Sequence, residues 1–206
     1  DQLYRILQKD LYVDENASDA LFYHKKNAEY MERFLYVCPT CGLTTYKSKG
    51  DIVECQKCHQ QIQYLPNKNL KGVSKPFPFN TIGEWYNYQC NYIRGLDLQL
   101  YNKTPMYQDE AKLFQVVLYK YKKKIKNKAL LCLYDNRILI DDLCLDFDSI
   151  QSITVLGKNK LNIYTDNQVY QLKGNKSFNA LKYVNIYFHY QNQKKGDENN
   201  EQFLGL

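Results

Sequence analysis

Apolar residues recur at two different periods along the chain, and the change of period divides it. Leu3, Ile6, Leu7 and Leu11 fall on one stripe at helical spacing, which predicts a short helix over residues 2–12. Asp14 to Asn16 interrupt it. A second helix is expected from Ser18 or Asp19 to about Phe34, with Ser18 as N-cap and Leu21, Ala28, Met31 and Leu35 sharing a face. Residues 35–65 then read as strands: Leu35–Val37, Leu43–Tyr46, Ile52–Cys55 and Gln61–Leu65, separated by turn chemistry such as Lys49-Gly50-Asp51. A loop rich in Asn, Lys and Pro runs from Pro66 to Phe79. Thr81 and Glu84 have capping-box spacing and start a helix through about Tyr92, with Trp85, Tyr88 and Tyr92 on one face and Gly95 as the stop.

From about Glu110 the pattern is strand after strand: Lys112–Lys122, Ala129–Tyr134, Arg137–Ile140, Ile150–Leu156, Leu161–Thr165 and Val169–Leu172. Turns such as Asp135-Asn136 and Gly157-Lys158-Asn159 separate them. Ser177 to about Tyr190 reads as an amphipathic closing helix whose stripe is Phe178, Leu181, Val184 and Phe188. The expected class is α+β: amino-terminal helices (1–34), a four-cysteine ribbon with its following helix (35–95) and a linker (96–109). A small antiparallel β barrel or sandwich capped by a helix (110–192) and a flexible polar tail (193–206) complete it.

Composition changes this picture little. In 206 residues, 44% are hydrophobic and only 5 are Pro and 9 Gly, which suits folded domains. With 20 Tyr, much of the burial must come from rings whose hydroxyls need partners. The net charge of +6 is too modest to announce nucleic acid by bulk charge. No apolar run approaches the ~20 residues that span a bilayer, and no signal peptide is visible. The chain begins at Asp1 rather than Met, which suggests a fragment of a longer protein.

The cysteines carry the strongest chemical signal. Cys38-Pro-Thr-Cys41 and Cys55-Gln-Lys-Cys58 are two C-x-x-C pairs with thirteen residues between them. Each pair presents two thiolates from one tight turn, and two facing turns make a tetrahedral site that suits Zn²⁺ and leaves no open position for water. Iron is the minor alternative, as is His59 in place of Cys58. Gly42 lets the backbone turn close to the metal. Because the ribbon is expected to have almost no apolar core of its own, losing any one of the four cysteines should unfold residues 35–65. Cys90, Cys132 and Cys144 read as small buried hydrophobes, and the set as a whole points to a reducing, cytosolic compartment.

Lys120 to Lys128 places six lysines in nine residues, where the first two strands of the β domain are expected to turn. Lys122, Lys123, Lys124, Lys126 and Lys128 are candidate contacts for anionic lipid at the inner membrane face, or for nucleic-acid phosphates. A solvated turn kept soluble by its charge is the competing reading. His24, His59 and His189 are far apart and sit in no catalytic motif; no P-loop, G-x-S-x-G or dinucleotide fingerprint is present. Asp141-Asp142 reads as a solvated turn.

Two stretches resemble a known family. His24-Lys-Lys-Asn-Ala-Glu-Tyr-Met-Glu-Arg-Phe-Leu-Tyr-Val-Cys38-Pro-Thr-Cys41-Gly42 is similar to the segment joining catalytic domain to zinc ribbon in some bacterial 1-acyl-glycerol-3-phosphate acyltransferases. Pro76-Phe-Pro-Phe-Asn-Thr-Ile-Gly-Glu-Trp85-Tyr-Asn-Tyr-Gln89 is similar to the helix after that ribbon. That family's catalysis depends on His-x4-Asp and Glu-Gly-Thr-Arg motifs. Five residues past the three histidines stand Glu29, Tyr64 and Lys194, so no catalytic residue carries over. The resemblance implies the carboxy-terminal accessory part of such an enzyme. Residues 110–190 resemble a pleckstrin-homology or GRAM-type domain by strand order and closing helix.

The expected function is therefore a non-catalytic, zinc-binding module of a phospholipid-biosynthesis acyltransferase. It would dock the enzyme to an anionic membrane surface or to a partner, the missing acyltransferase domain being the simplest. A nucleic-acid-binding zinc ribbon and a protein-binding scaffold are the alternatives.

Overall fold

A computed structural model describes residues 3, 5, 6, 20–118 and 121–195. Of the first expected helix only residues 3, 5 and 6 are described; they are helical, with Leu3 and Ile6 exposed.

The second expected helix does not form. Residues 20–30 are a strap of irregular chain and turns, followed by a single 3-10 turn at Met31–Arg33. Its backbone donors are taken by tertiary partners rather than by carbonyls four residues back. Phe22 N–H bonds Pro66 O at 2.9 Å, Ala28 N–H bonds Gly50 O at 2.9 Å, and Tyr30 N–H bonds Ser48 Oγ at 2.7 Å. His24 Nδ1 and Asn27 add local side-chain bonds that compete with a helix, and Tyr30 sits at φ 73°. Ala28, Met31 and Leu35 are buried, but against the ribbon rather than along a helix face.

The ribbon begins with the small hairpin β1 (Val37–Cys38) and β2 (Gly42–Leu43), paired Val37 to Leu43. An antiparallel sheet follows in the order β3 (Tyr46–Lys49), β4 (Ile52–Cys55), β5 (Gln61–Tyr64), β6 (Leu70–Gly72). β6 lies inside the stretch expected to be loop. It is only three residues long, and its Leu70 N–H bonds Asn80 O at 2.7 Å. Helix α1 (Ile82–Arg94) starts at the capping box, with Thr81 Oγ1 accepting from Glu84 N–H and the Glu84 carboxylate accepting from Thr81 N–H. Gly95 ends it. Trp85 on α1 is fully buried among Tyr46, Val53, Ile62 and Leu70, so the ribbon does have an apolar core. Helix and strap supply much of it, which the ribbon's own sequence could not show.

Residues 96–108, expected as a linker, carry buried Leu96 and Leu98 and a 3-10 turn capped by Asp97. The second sheet starts within that stretch. Its strands are β7 (Tyr107–Leu118), β8 (Tyr121–Leu133), β9 (Arg137–Ile140), β10 (Leu143–Asp146), β11 (Ile150–Leu156), β12 (Lys160–Thr165) and β13 (Val169–Lys173). They form one antiparallel sheet in the order β10-β9-β8-β7-β13-β12-β11. β10 was not expected; its alternation places Leu145 inside and Cys144 outside, so Cys144 is exposed while Cys90 and Cys132 are buried.

Helix α2 (Leu181–Lys195) begins later than the expected closing helix and is not amphipathic: Lys182 to Tyr187 and His189 are all buried. One side packs the sheet, where Tyr187 Oη bonds Ile150 O at 2.8 Å. The other side meets the segment before β1, where Asn185 Nδ2 bonds Tyr36 Oη at 2.6 Å. Asn179, just before the helix, donates to Glu32 O and Leu35 O. Lys182, almost wholly buried, pairs with Asp109 at 2.6 Å, and Tyr183 Oη donates to the same carboxylate. Burial pulls the Lys182 ammonium below its ordinary range, and Asp109 opposes that shift.

Leu35 to Cys38 join the two cores. Leu35 and Cys38 belong to the ribbon core, and Tyr36 and Val37 to the sheet core. Gln89 on α1 serves this segment: its Oε1 accepts from Tyr36 N–H at 2.7 Å and Val37 N–H at 3.2 Å, and its Nε2 donates to Phe34 O at 2.9 Å. Gln89→Leu keeps the bulk but strands these groups in a dry interior. It should cost about 2–5 kcal/mol of stability in urea unfolding; a loss below about 0.5 kcal/mol would contradict this role.

Candidate metal centre

Each C-x-x-C pair sits on a turn whose local chemistry is the same. Cys38 ends β1 and Cys55 ends β4. The residue after each second cysteine adopts the left-handed region, Gly42 at φ 71° and His59 at φ 59°. At the first position the positive φ favours glycine, and a Cβ there would lie 2.3 Å from Tyr92 Oη, so the tyrosine side chain would have to move. Backbone amides two and three residues on point back to the first sulfur of each turn: Thr40 and Cys41 to Cys38, Lys57 and Cys58 to Cys55. His59 N–H closes its turn on Cys55 O at 2.9 Å.

The two turns face each other and bring all four sulfurs within 4.8 Å of one another. Cys38 Sγ lies 3.8 Å from Cys58 Sγ, and Cys41 Sγ 3.9 Å from Cys55 Sγ. A metal bonded at about 2.3 Å to four sulfurs at tetrahedron corners separates them by about 3.8 Å, so the spacing fits such an ion. Thr44 Oγ1, buried, lies 3.3 Å from Cys55 Sγ and completes that sulfur's shell of donors. Burial opposes ionisation of Cys55, but the Thr44 hydroxyl and the amides outweigh it and bring the thiol down to about 7. Burial pushes Cys38 up, and burial with the neighbouring thiols pushes Cys41 up. Four such groups ionise together only around a cation. A metal held by all four sulfurs would have no coordination position left for substrate.

His59 is not part of this set: its exposed ring lies 3.2 Å from Glu54. The exposed His24 accepts from Lys26 N–H, and the buried His189 is bonded to Leu96 O, so the three histidines stand apart. The sequence reading did not foresee Thr44 beside the sulfurs or Tyr92 beside Gly42, because neither carries a motif and only the folded turns bring them there.

The candidate lysines lie on β8 rather than at a turn, since Leu118 already pairs with Tyr121; Lys120 is outside the described residues. Residues 121–128 are exposed irrespective of strand parity, and β8 pairs β9 only at Leu131–Leu133. Along residues 121–128 β8 is therefore an exposed edge beside β7, whose Lys112–Val116 pair with β13 on their other side. Lys122 Nζ donates to the buried Gln171 at 2.6 Å, Lys126 pairs with Asp141 at 2.7 Å, and Lys128 lies 3.6 Å from Glu110. Lys126 holds the Asp141 carboxyl below the usual range, helped by Leu130 N–H. Among the described residues Lys123 and Lys124 make no ion pair. Asp141 and Asp142 form the β9–β10 turn as expected, with Asp142 exposed; Asp141 sits at φ 51° and its carboxylate also ties β8 to that turn by accepting from Leu130 N–H.

No protein-family model and no curated protein matches the chain. Among solved structures, the N-terminal PH domain of the human ARAP2 protein is similar at 12% identity, over 48% of this chain and 89% of that chain, with a TM-score of 0.36. A likeness at that level carries no argument about site or ligand. No helix among the described residues is long and apolar enough to cross a membrane.

Two substitutions test the centre. Cys38→Ser should abolish stoichiometric metal binding in elemental analysis, and a variant that kept metal and fold would refute the assignment. Thr44→Val should leave the fold intact and weaken metal binding by about 10- to 100-fold in competition with a chromophoric chelator.

Proposed function

We propose that this chain is a non-catalytic binding module, held together by zinc at Cys38, Cys41, Cys55 and Cys58, whose β7–β8 hairpin docks on an anionic membrane surface. Zinc is favoured over iron because a closed thiolate shell without redox duty suits an ion with no geometric preference of its own. Docking rests chiefly on one observation: an exposed edge segment of β8, residues 121–128, rich in lysine and free of acid. Residues 111–134 contain no Asp or Glu. Val117, Tyr121 and Ile125 are exposed beside the lysines, so the hairpin offers apolar groups to the interface as well as cations to headgroups.

Magnitude limits the claim to weak, reversible attachment. Each lysine near an anionic surface contributes about 1 kcal/mol, so the five together supply about 5 kcal/mol before the cost of association. Exposed ion pairs such as Lys128–Glu110 are worth little, and headgroups can displace them. That the module serves a phospholipid-biosynthesis acyltransferase rests on the resemblance of residues 24–42 and 76–89, which fold here as the strap, the first metal turn and the start of α1.

Co-sedimentation with vesicles tests the docking. Anionic vesicles should bind the chain and neutral ones should not. Replacing Lys122, Lys123, Lys124 and Lys126 by Gln should weaken binding by on the order of a hundredfold or more. Equal failure with both vesicle types overturns membrane docking and moves the function to a protein partner. Elemental analysis of the same preparation should find one zinc per chain; iron instead would overturn the choice of metal.

A further inference from the structure

Open strand edges template unwanted pairing, and proteins blunt them with charge, brevity or cover. Most edges of this molecule are blunted in this way. β8 beyond its pairing with β9 carries Lys122, Lys123, Lys124, Lys126 and Lys128. β3 carries Lys47 and Lys49 and is partly covered by the strap. β6 is three residues long with Lys71 at its middle, and β10 is four residues long and ends in Asp146.

β11 is the exception. It is seven residues long, Ile-Gln-Ser-Ile-Thr-Val-Leu, with no charged residue, no Pro and no Gly, and four of the seven are β-branched. Among the described residues no strand pairs with its outer side, where it ends the order β13-β12-β11. Val155 and Leu156 are exposed at 42% and 43%. Beside the edge runs a groove of about 610 Å³ between β11 and α2, lined by Ile150, Ser152, Tyr187 and Phe188 and by Asp148 and Lys194, which pair with each other at 2.8 Å. Tyr187 Oη already takes the carbonyl of Ile150, so the free edge is the run from Gln151 to Leu156.

We propose that this edge is a homodimer interface: β11 pairs antiparallel with β11 of a second copy about a twofold axis near the middle of the strand. Charge selects the occupant. A twofold axis sets each strand against itself, and like charges directly opposite one another across a ladder are destabilising. The lysine-bearing edges therefore repel their own copies, whereas the β11–β11 ladder sets only Gln, Ser, Thr and aliphatic side chains against one another. A short ladder alone is a small interface; the groove enlarges it by receiving side chains of the second copy's β11 against Tyr187 and Phe188.

Sedimentation velocity of the whole chain over a wide range of protein concentration tests this. A reversible monomer–dimer equilibrium is expected. Val155→Lys should raise the dimer dissociation constant by about tenfold or more, because it sets like charges near the axis. Thr154→Lys, on the opposite face of the same exposed strand, should do the same, so that a folding defect in either variant leaves the other informative. Circular dichroism and zinc content should be unchanged in both. A wild-type chain that is monomeric throughout, as expected if a foreign strand is the natural occupant, overturns the proposal. So does a dimer that survives both substitutions.

Discussion

Four consecutive residues, Leu35 to Cys38, are buried to within about a hundredth of full exposure and serve two cores at once. A segment so placed has little room for ordinary ladders, yet its peptide groups cannot be left dry and unpaired. Side chains from four other elements supply partners. Gln89 and Trp85 reach it from α1, Tyr46 from β3, Tyr107 from β7 and Asn179 from the approach to α2. Val37 O alone accepts from Tyr46 Oη at 3.1 Å and Trp85 Nε1 at 3.0 Å. The large Tyr content has its use here, since each ring fills a core while its hydroxyl satisfies a backbone carbonyl.

The metal turn begins where this segment ends. Cys38 follows Val37 directly, so the first pair of sulfurs is positioned by the same hydrogen bonds that join the ribbon to the sheet. The second pair depends on β4 and β5, packed under Trp85. A metal ion between the pairs would close a loop of structure that starts at the sheet, runs through the strap and ribbon, and returns through α1. The surfaces offered outward are of different kinds: a row of exposed lysines on β8, and the uncharged outer edge of β11.

Where local pattern and tertiary demand agreed, the sequence was a sufficient guide. The spacing of the four cysteines, the Thr81–Glu84 capping box, and strands Arg137–Ile140 and Ile150–Leu156 are found as their residues imply. Where tertiary partners competed, it was not. The strap has a helical apolar stripe, but Gly50, Ser48 and Pro66 take its amide donors. The stripe on residues 177–190 described only the half of α2 that meets the sheet; Lys182, Asn185 and His189 read as solvent positions and are buried by partners distant in sequence. The ribbon looked coreless because its largest core residue, Trp85, lies on the following helix. The lysines looked like a turn because nothing local announces that β7 and β8 stay paired as far as Leu118 and Tyr121.

The claim at the centre of this account is that a metal at the four sulfurs holds the ribbon, while the seven-stranded sheet stands on its own core. Hydrogen exchange followed by mass spectrometry, before and after removal of the metal with a strong chelator, tests it most directly. Amides of residues 37–64 should lose their protection when the metal is removed, while those of β8, β12 and β13 in the sheet core should keep most of theirs. A ribbon that stays protected without metal would contradict the account, because its apolar core and the side-chain bonds around Tyr36 and Val37 would then suffice by themselves.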